Sequence, residues 1–320
     1  MTSPQALTTV ERGSRAWTRE TIDDPTTWYY TLSPACLAPL DAFVECHRSN
    51  SQPATEIRVG DSELADCGEC LRPVLPALES GRGFAIIDRV PLDRYTADEA
   101  TLIYWAIGQL LGIPTGQDRI GTLLYDVRDT GQSVTQGARF SVTNAESSFH
   151  IDGTMGPDLP DLLGLLCLNG AKSGGQSQFI SAYALHNDLL EHDPDALHTL
   201  YRTFLFDRRS QQEAGELPYL SAPVFRWDGS ELHIRYLHYY TQVGHARASQ
   251  PLTAAQQHAL AAVEDRLERP DLRVEFTLQP GQMIFWNNHW LLHNRTAFED
   301  YPEVERRRHL KRLWLRQRDS

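Results

Sequence analysis

Phe285-Trp286-Asn287-Asn288-His289-Trp290-Leu291-Leu292-His293-Asn294-Arg295-Thr296-Ala297-Phe298-Glu299-Asp300 is the stretch on which the reading of the fold turns. It opens on the apolar run Met283-Ile284-Phe285-Trp286, which follows a Pro280-Gly281 turn. Just upstream, residues 273–278 alternate, with Val274, Phe276 and Leu278 on one side, which is the period of a half-buried strand. Working outward, residues 83–88 and 162–168 are apolar runs of strand length, and residues 310–316 alternate again. Helices flank these strands. Thr96-Ala97-Asp98-Glu99 is a capping box, followed by the stripe Leu102, Ile103, Ala106, Leu110 and Leu111, with Gly112 and Pro114 as stop signals. A second helix is predicted over residues 253–267, with Leu260, Val263 and Leu267 on one side. Many short strands with flanking helices predict an α+β chain built on a double-stranded β-helix, or jelly-roll, core. Periodicity by itself admits other α+β arrangements.

Composition narrows the function classes. The chain has 320 residues, 41% hydrophobic and 22% charged, in the ordinary range for a globular protein with a sizeable core. Its net charge of −12 argues against a dedicated nucleic-acid binder, which needs a basic surface to displace counterions. A basic run, Arg306, Arg307, Arg308, Lys311, Arg312, Arg316 and Arg318, lies near the C-terminus and taken alone reads as a solvated face. No stretch approaches the roughly 20 apolar residues of a membrane span, and the first residues lack a signal-peptide pattern, so a cytoplasmic location is expected. Cys36, Cys46, Cys67, Cys70 and Cys167 form no disulfide framework. Cys67-Gly-Glu-Cys70 has half of a zinc-site spacing without its other half, and reads as free thiols in a turn. Residues 48–66 are polar and without periodicity, the most flexible-looking stretch.

The second informative segment is Ser148-Phe149-His150-Ile151-Asp152-Gly153-Thr154. On a strand, residues i and i+2 face the same way, so His150 and Asp152 can reach one ion together. Gly153 would let the chain turn away directly afterwards. Two ligands need a third from elsewhere to complete the facial triad, which leaves three positions on iron open. In isolation His-x-Asp is short enough to be a surface pair.

Together with the opening stretch and Arg307-Arg308-His309-Leu310-Lys311-Arg312-Leu313-Trp314-Leu315, the segment resembles the TauD/TfdA-like (clavaminate synthase-like) branch of the Fe(II)/2-oxoglutarate oxygenases. Similarity extends to Ala16-Trp17-Thr18-Arg19, residues 28–32 and 83–114, and Thr143-Asn144-Ala145-Glu146, so it spans about the whole chain. The resemblance implies a single domain over 1–320, with residues 1–80 packing on a core formed by 81–320. It implies His150, Asp152 and His293 as the iron ligands, and Arg308 as the clamp for the distal carboxylate of 2-oxoglutarate. A planar guanidinium suits that role because it engages both carboxylate oxygens. Ser177 stands where the family often has a threonine against the same carboxylate. Arg312, four residues after Arg308 and so on the same face of a regular strand, would meet cosubstrate or substrate. Ile151, Asn294 and Ser177 depart from the commoner Thr, Gly and Thr, and Asn294 would narrow the space beside His293 or alter the substrate side. Asn144, Glu146 and Arg235 are further substrate candidates.

The implied reaction couples 2-oxoglutarate decarboxylation to succinate and CO2 with O2-dependent hydroxylation of a small metabolite, such as an amino acid, amine or natural-product intermediate. Desaturation and ring formation are the alternatives with the same cofactors. Asp152 argues against a halogenase, which typically has Gly or Ala there. His289 is a rival ligand, because on a helix it would share a face with His293; the Met-Ile-Phe-Trp run favours a strand and hence His293. His233, His238 and His245 read as core and surface histidines. A zinc hydrolase would have no need for Arg308 and Ser177, and an intact triad argues against a purely binding jelly roll. A homo-oligomer is compatible with the sequence; a membrane or nucleic-acid partner is not expected.

Overall fold

A computed structural model describes residues 6–22, 24–49, 52–60, 62–133 and 138–318. The expected strands and helices pack as an α+β fold around two sheets. The larger sheet runs Tyr29–Thr31, Phe84–Asp88, Met283–Asn287, Leu162–Asn169, His309–Arg316 and Ile113–Thr115, with Tyr125–Val127 also paired to His309–Arg316. The smaller sheet has Ser177–Ser181 at its centre, between Arg273–Phe276 and Leu291–Arg295.

Alternation along the central strands divides the core in two. Phe84, Ile86, Ile284 and Trp286 point toward the smaller sheet and join the cluster containing Phe179, Leu291 and Leu292. The rings of Phe84 and Phe179 stack across the gap at 5.5 Å, and Trp286 meets Phe179 at 5.5 Å. The alternate residues Ala85, Ile87, Met283 and Phe285 point the other way, onto a helical layer. That layer includes Pro34–His47, Ala65–Leu71, Val74–Glu79 and Ala97–Leu111. Close approach depends on Gly164, where a Cβ would sit 2.6 Å from both Phe285 Cε1 and Tyr104 Oη.

Both capping boxes form, Thr96 with Glu99 and Thr253 with Gln256, each contributing about 1 kcal/mol by satisfying free amides at the helix start. The Cys67-Gly-Glu-Cys70 segment departs from expectation: it lies within the helix Ala65–Leu71, and Cys67 is buried against Cys36 at 3.1 Å between sulfurs. Leu64, Cys67 and Leu71 supply a buried stripe at helical spacing. In the stretch 48–66, whose residues 50, 51 and 61 lie outside the described set, Ala54–Glu56 forms one 3-10 turn. Among the described residues, no helix is long and apolar enough to cross a membrane.

Candidate functional site

His293 lies in the strand Leu291–Arg295 of the smaller sheet, in register with Phe179. His150 is not in a regular strand. It makes one antiparallel bridge to His293, with both backbone hydrogen bonds at 3.0 Å, and Asp152 follows in a turn. The two-residue spacing still delivers both side chains to one side. Gly153, at φ +79°, takes the chain away in a conformation that disfavours a side chain, and a Cβ there would meet Pro160 Cδ at 2.7 Å.

The turn is stapled by Asn288, fully buried in the connection after Met283–Asn287. Its Oδ1 accepts from Asp152 N at 3.0 Å, and its Nδ2 donates to Asp152 O and Pro160 O at 3.0 and 3.1 Å. Asn288 thereby completes the backbone hydrogen bonding of a segment that has left the sheet.

Donor atoms of His150, Asp152 and His293 lie within 4.8 Å of one another, and among the described residues this is the one such group of three. His150 Nε2 is 3.3 Å and His293 Nε2 3.8 Å from Asp152 Oδ1. The remaining polar atoms settle which lone pairs stay available. His150 Nδ1 lies 2.7 Å from the Ser148 carbonyl, which fixes the proton on Nδ1 and leaves the Nε2 lone pair toward Asp152. Asp152 Oδ2 accepts from Arg312 Nη1 at 2.9 Å and Trp314 Nε1 at 3.0 Å, leaving Oδ1 toward the histidines. Burial raises the Asp152 pKa, but Arg312 and the two imidazoles outweigh it and hold the carboxyl far below its usual range. Burial, with His150 close by, holds His293 neutral, its pKa well below the usual value. Two imidazoles and one ionised carboxylate are the donor set of a facial triad, so these residues fit an Fe(II) ion.

Arg308 is 5% exposed, and its guanidinium lies 5.1 Å from the Phe298 ring. Among the described residues, none accepts a hydrogen bond from that guanidinium; its backbone N–H donates to Asp300 Oδ1. Burial pushes its pKa down to about 10. It borders a cavity of about 250 Å³, lined also by Ser177, Cys167 and Thr277. Gly175, at φ +73°, gives the guanidinium room: a Cβ there would be 3.1 Å from Arg308 Nε.

Arg308 and Leu310 line one cavity, and Arg312 stands two residues beyond Leu310; the register shift between His309 and Leu310 leaves the extra residue, Leu168, on the partner strand. The Arg312 guanidinium bonds Asp152 Oδ2 and Gln117 Oε1, the latter at 2.7 Å. Asn294 lies in strand alternation opposite His293 and so does not narrow the space beside it. Instead it joins Ser147, Glu146 and Gln178 by hydrogen bonds of 3.0–3.3 Å. Glu146 and Asn144 are exposed, and the Asn144 carbonyl accepts from Phe298 N at 3.1 Å. Arg235 is a brace: it donates to the carbonyls of Thr154, Gly156 and Pro157 at 2.8–2.9 Å, holding the loop after Asp152. His289 stands in the turn between strands and pairs with Asp161 Oδ1 at 2.7 Å, apart from the three-donor group. Trp314, Gln117 and Asn288 escaped the sequence reading. Trp314 had a signal, since it lies two residues beyond Arg312 on the same strand face; the other two had none.

The family model described as "Taurine catabolism dioxygenase TauD, TfdA family" matches residues 51–314. Among curated proteins, FR-33289 synthase of Streptomyces rubellomurinus is 28% identical over 310 residues, covering 95% of this chain and 89% of that protein. A uridine-5'-phosphate dioxygenase of a Streptomyces species is 31% identical over 198 residues, covering 58% and 69%. Among solved structures, an asparagine oxygenase in complex with Fe(II), 3-hydroxyasparagine and succinate superposes with a TM-score of 0.66 at 19% identity, over 90% of this chain and 93% of that one.

Proposed function

The chain belongs to the TauD/TfdA family of dioxygenases, and from that premise we propose that His150, Asp152 and His293 hold the Fe(II) with which it oxidises a small metabolite. The cosubstrates are 2-oxoglutarate and O2, and the products are succinate, CO2 and a hydroxylated substrate. Residues 1–320 act as one domain, and the two facing sheets are the halves of a double-stranded β-helix.

The observation that carries the reading is Arg308, a buried cation to which no described side chain or carbonyl offers an acceptor. A buried guanidinium without a carboxylate is costly, and a bound dicarboxylate would supply what is missing. Ser177, 9% exposed on the same cavity, can donate its hydroxyl to that carboxylate. A zinc hydrolase built on the same three ligands gives Arg308 no role.

Bound Fe(II) would supply the redox chemistry that activates O2 with 2-oxoglutarate. The chain's own residues set the conditions for it. Ser148 O fixes the His150 tautomer, Arg312 and Trp314 hold Asp152 ionised and aimed, and Asn288 holds the turn that carries it. The relatives point to a small polar substrate, one being named for uridine 5'-phosphate and the structural neighbour holding hydroxyasparagine. We assign Arg312, bonded to Asp152, and Asn144 and Glu146, in the segment before His150, to contacts with such a molecule.

Anaerobic addition of Fe(II) and 2-oxoglutarate should produce a visible metal-to-ligand charge-transfer band, absent in His150→Ala. A band that survives this substitution unchanged sinks the assignment of the triad.

A further inference from the structure

The segment Cys67-Gly-Glu-Cys70 takes no part in the site around Asp152, yet the fold gathers its two thiols with a third. Cys36 stands in the first turn of the helix Pro34–His47 and is fully buried. Its sulfur lies 3.1 Å from that of Cys67, which is also fully buried. Cys70, one helical turn beyond Cys67, is exposed. Its sulfur lies 3.7 Å from Ser33 Oγ, and the same Oγ accepts from Cys36 N at 3.3 Å. Cys70 is also a hydrogen-bonding neighbour of the Cys36 sulfur. The thiols thus run from the surface inward, Cys70 first and the Cys36–Cys67 pair behind it.

Two chemistries suit neighbouring thiols, a soft metal ion and a disulfide. Among the described residues, the one group of three donors within 4.8 Å of one another is His150, Asp152 and His293, so the three sulfurs are too spread to share an ion. Geometry also separates the disulfides that could form. Residues three apart on a helix have Cβ atoms about 5–6 Å apart, whereas a disulfide needs about 3.5–4.5 Å. Cys67 and Cys70 therefore do not bridge while their helix is intact. Cys36 and Cys67 face each other from two helices, and their sulfurs need to close by about 1 Å to reach bonding distance. This pair does not react directly with a reagent. Its sulfur–sulfur hydrogen bond, together with burial, pushes the Cys36 pKa far above that of an ordinary thiol. A protonated, buried thiol is a poor nucleophile, so the exposed Cys70 is the sulfur that a reagent meets first.

We propose that Cys36, Cys67 and Cys70 form a redox-active thiol site for small disulfides, in which Cys70 is the entry thiol and a Cys36–Cys67 disulfide is the product. The site is independent of the dioxygenase reading. The Cys70 thiolate attacks one sulfur of a small disulfide RSSR, forming Cys70–S–S–R and expelling RS⁻, which takes the proton that Cys70 gave up. Cys36, held beside Cys70, then attacks the Cys70 sulfur, with proximity offsetting its weak nucleophilicity. The second RS⁻ departs and takes the Cys36 proton. Finally Cys67 attacks the Cys36 sulfur, and its proton passes to the departing Cys70. Each attack breaks one S–S bond and forms another. In sum, two protein thiols lose two electrons and two protons, and RSSR is reduced to two RSH. The crosslink joins the helices Pro34–His47 and Ala65–Leu71 in the layer that backs Ala85, Ile87, Met283 and Phe285.

The test treats the full chain with oxidised glutathione, quenches in acid, alkylates the remaining thiols in denaturant and maps the peptides by mass spectrometry. A linked pair of peptides carrying Cys36 and Cys67 should accumulate. Cys70→Ser changes an exposed side chain and spares the core; it should slow the link at least about tenfold, because the buried pair loses its relay. Cys46→Ser removes the other exposed thiol and should leave the rate unchanged. Cys67→Ala should stop the sequence at a Cys36–Cys70 disulfide. The proposal is overturned if Cys36 and Cys67 stay reduced while Cys46 and Cys70 carry glutathione. It is equally overturned if the stable link in the unsubstituted chain ends on Cys70, or if Cys70→Ser forms the Cys36–Cys67 link as fast as the unsubstituted chain.

Discussion

Two histidine–aspartate clusters lie on either side of Asn288, and they have opposite fates. In one, His289 pairs with Asp161 at 2.7 Å and His233 with Asp228 at 2.7 Å, while the two rings meet edge to face at 5.0 Å. Each imidazole there has its own carboxylate. In the other, two imidazoles share one carboxylate oxygen, and the second oxygen is held by Arg312 and Trp314. Residue types are the same in both. What distinguishes a metal site is therefore which lone pairs remain uncommitted and converge, a property set by the neighbours of the ligands.

The sharpest way to break this comparison is to remove a ligand from each cluster. His293→Ala should abolish the Fe(II)–2-oxoglutarate band, whereas His289→Ala should leave it; the reverse pattern would exchange their roles. Next in size is Arg308→Ala, which should raise the 2-oxoglutarate concentration needed for succinate formation about 10- to 100-fold, the worth of one or two charge-assisted bonds. An unchanged requirement would move the clamp to another cation. Trp314→Phe deletes the Nε1 donor to Asp152 while keeping most of the ring. Iron affinity, read by metal titration, should fall about tenfold, and no fall would mean that Arg312 alone orients the carboxylate.

The smallest effect belongs to the paired cluster. Burial raises the Asp161 pKa, but His289 and the Gln317 amide lower it further, for a net depression. A carboxyl depressed on folding adds stability above its unfolded value of about 3.9, and loses that contribution as pH falls through the lower folded value. Asp161→Asn should therefore cost about 1 kcal/mol at pH 7 in urea unfolding. The gap from the unsubstituted chain should close as the pH drops well below 4. A gap that stays constant as the pH falls would show that the ionised pair does not contribute to folding.

Much of the fold was legible along the chain because its signals are local. Capping boxes at Thr96 and Thr253, and the alternation in 310–316, depend on neighbours within a few residues. The segment Cys67 to Cys70 was misread because a short helix packed on Cys36 draws its stability from a partner 31 residues away. Arg308 and Arg312 were placed on one face by strand periodicity, but not their different partners: Arg312 is bonded to Asp152 and Gln117, whereas Arg308 borders the cavity with Leu310. Arg235 looked like a substrate residue, and its three carbonyl partners lie about 80 residues earlier in the chain.

By itself, the sequence determined the family, the α+β character and the three donors, since His150, Asp152 and His293 stand in motifs whose residue types and spacing carry the chemistry. Only the tertiary structure decided which atoms of those donors are available, because the tautomer of His150 and the free oxygen of Asp152 depend on Ser148, Arg312 and Trp314. Hydrogen bonds and charges act through space over a few ångströms, and no spacing along the chain encodes those distances.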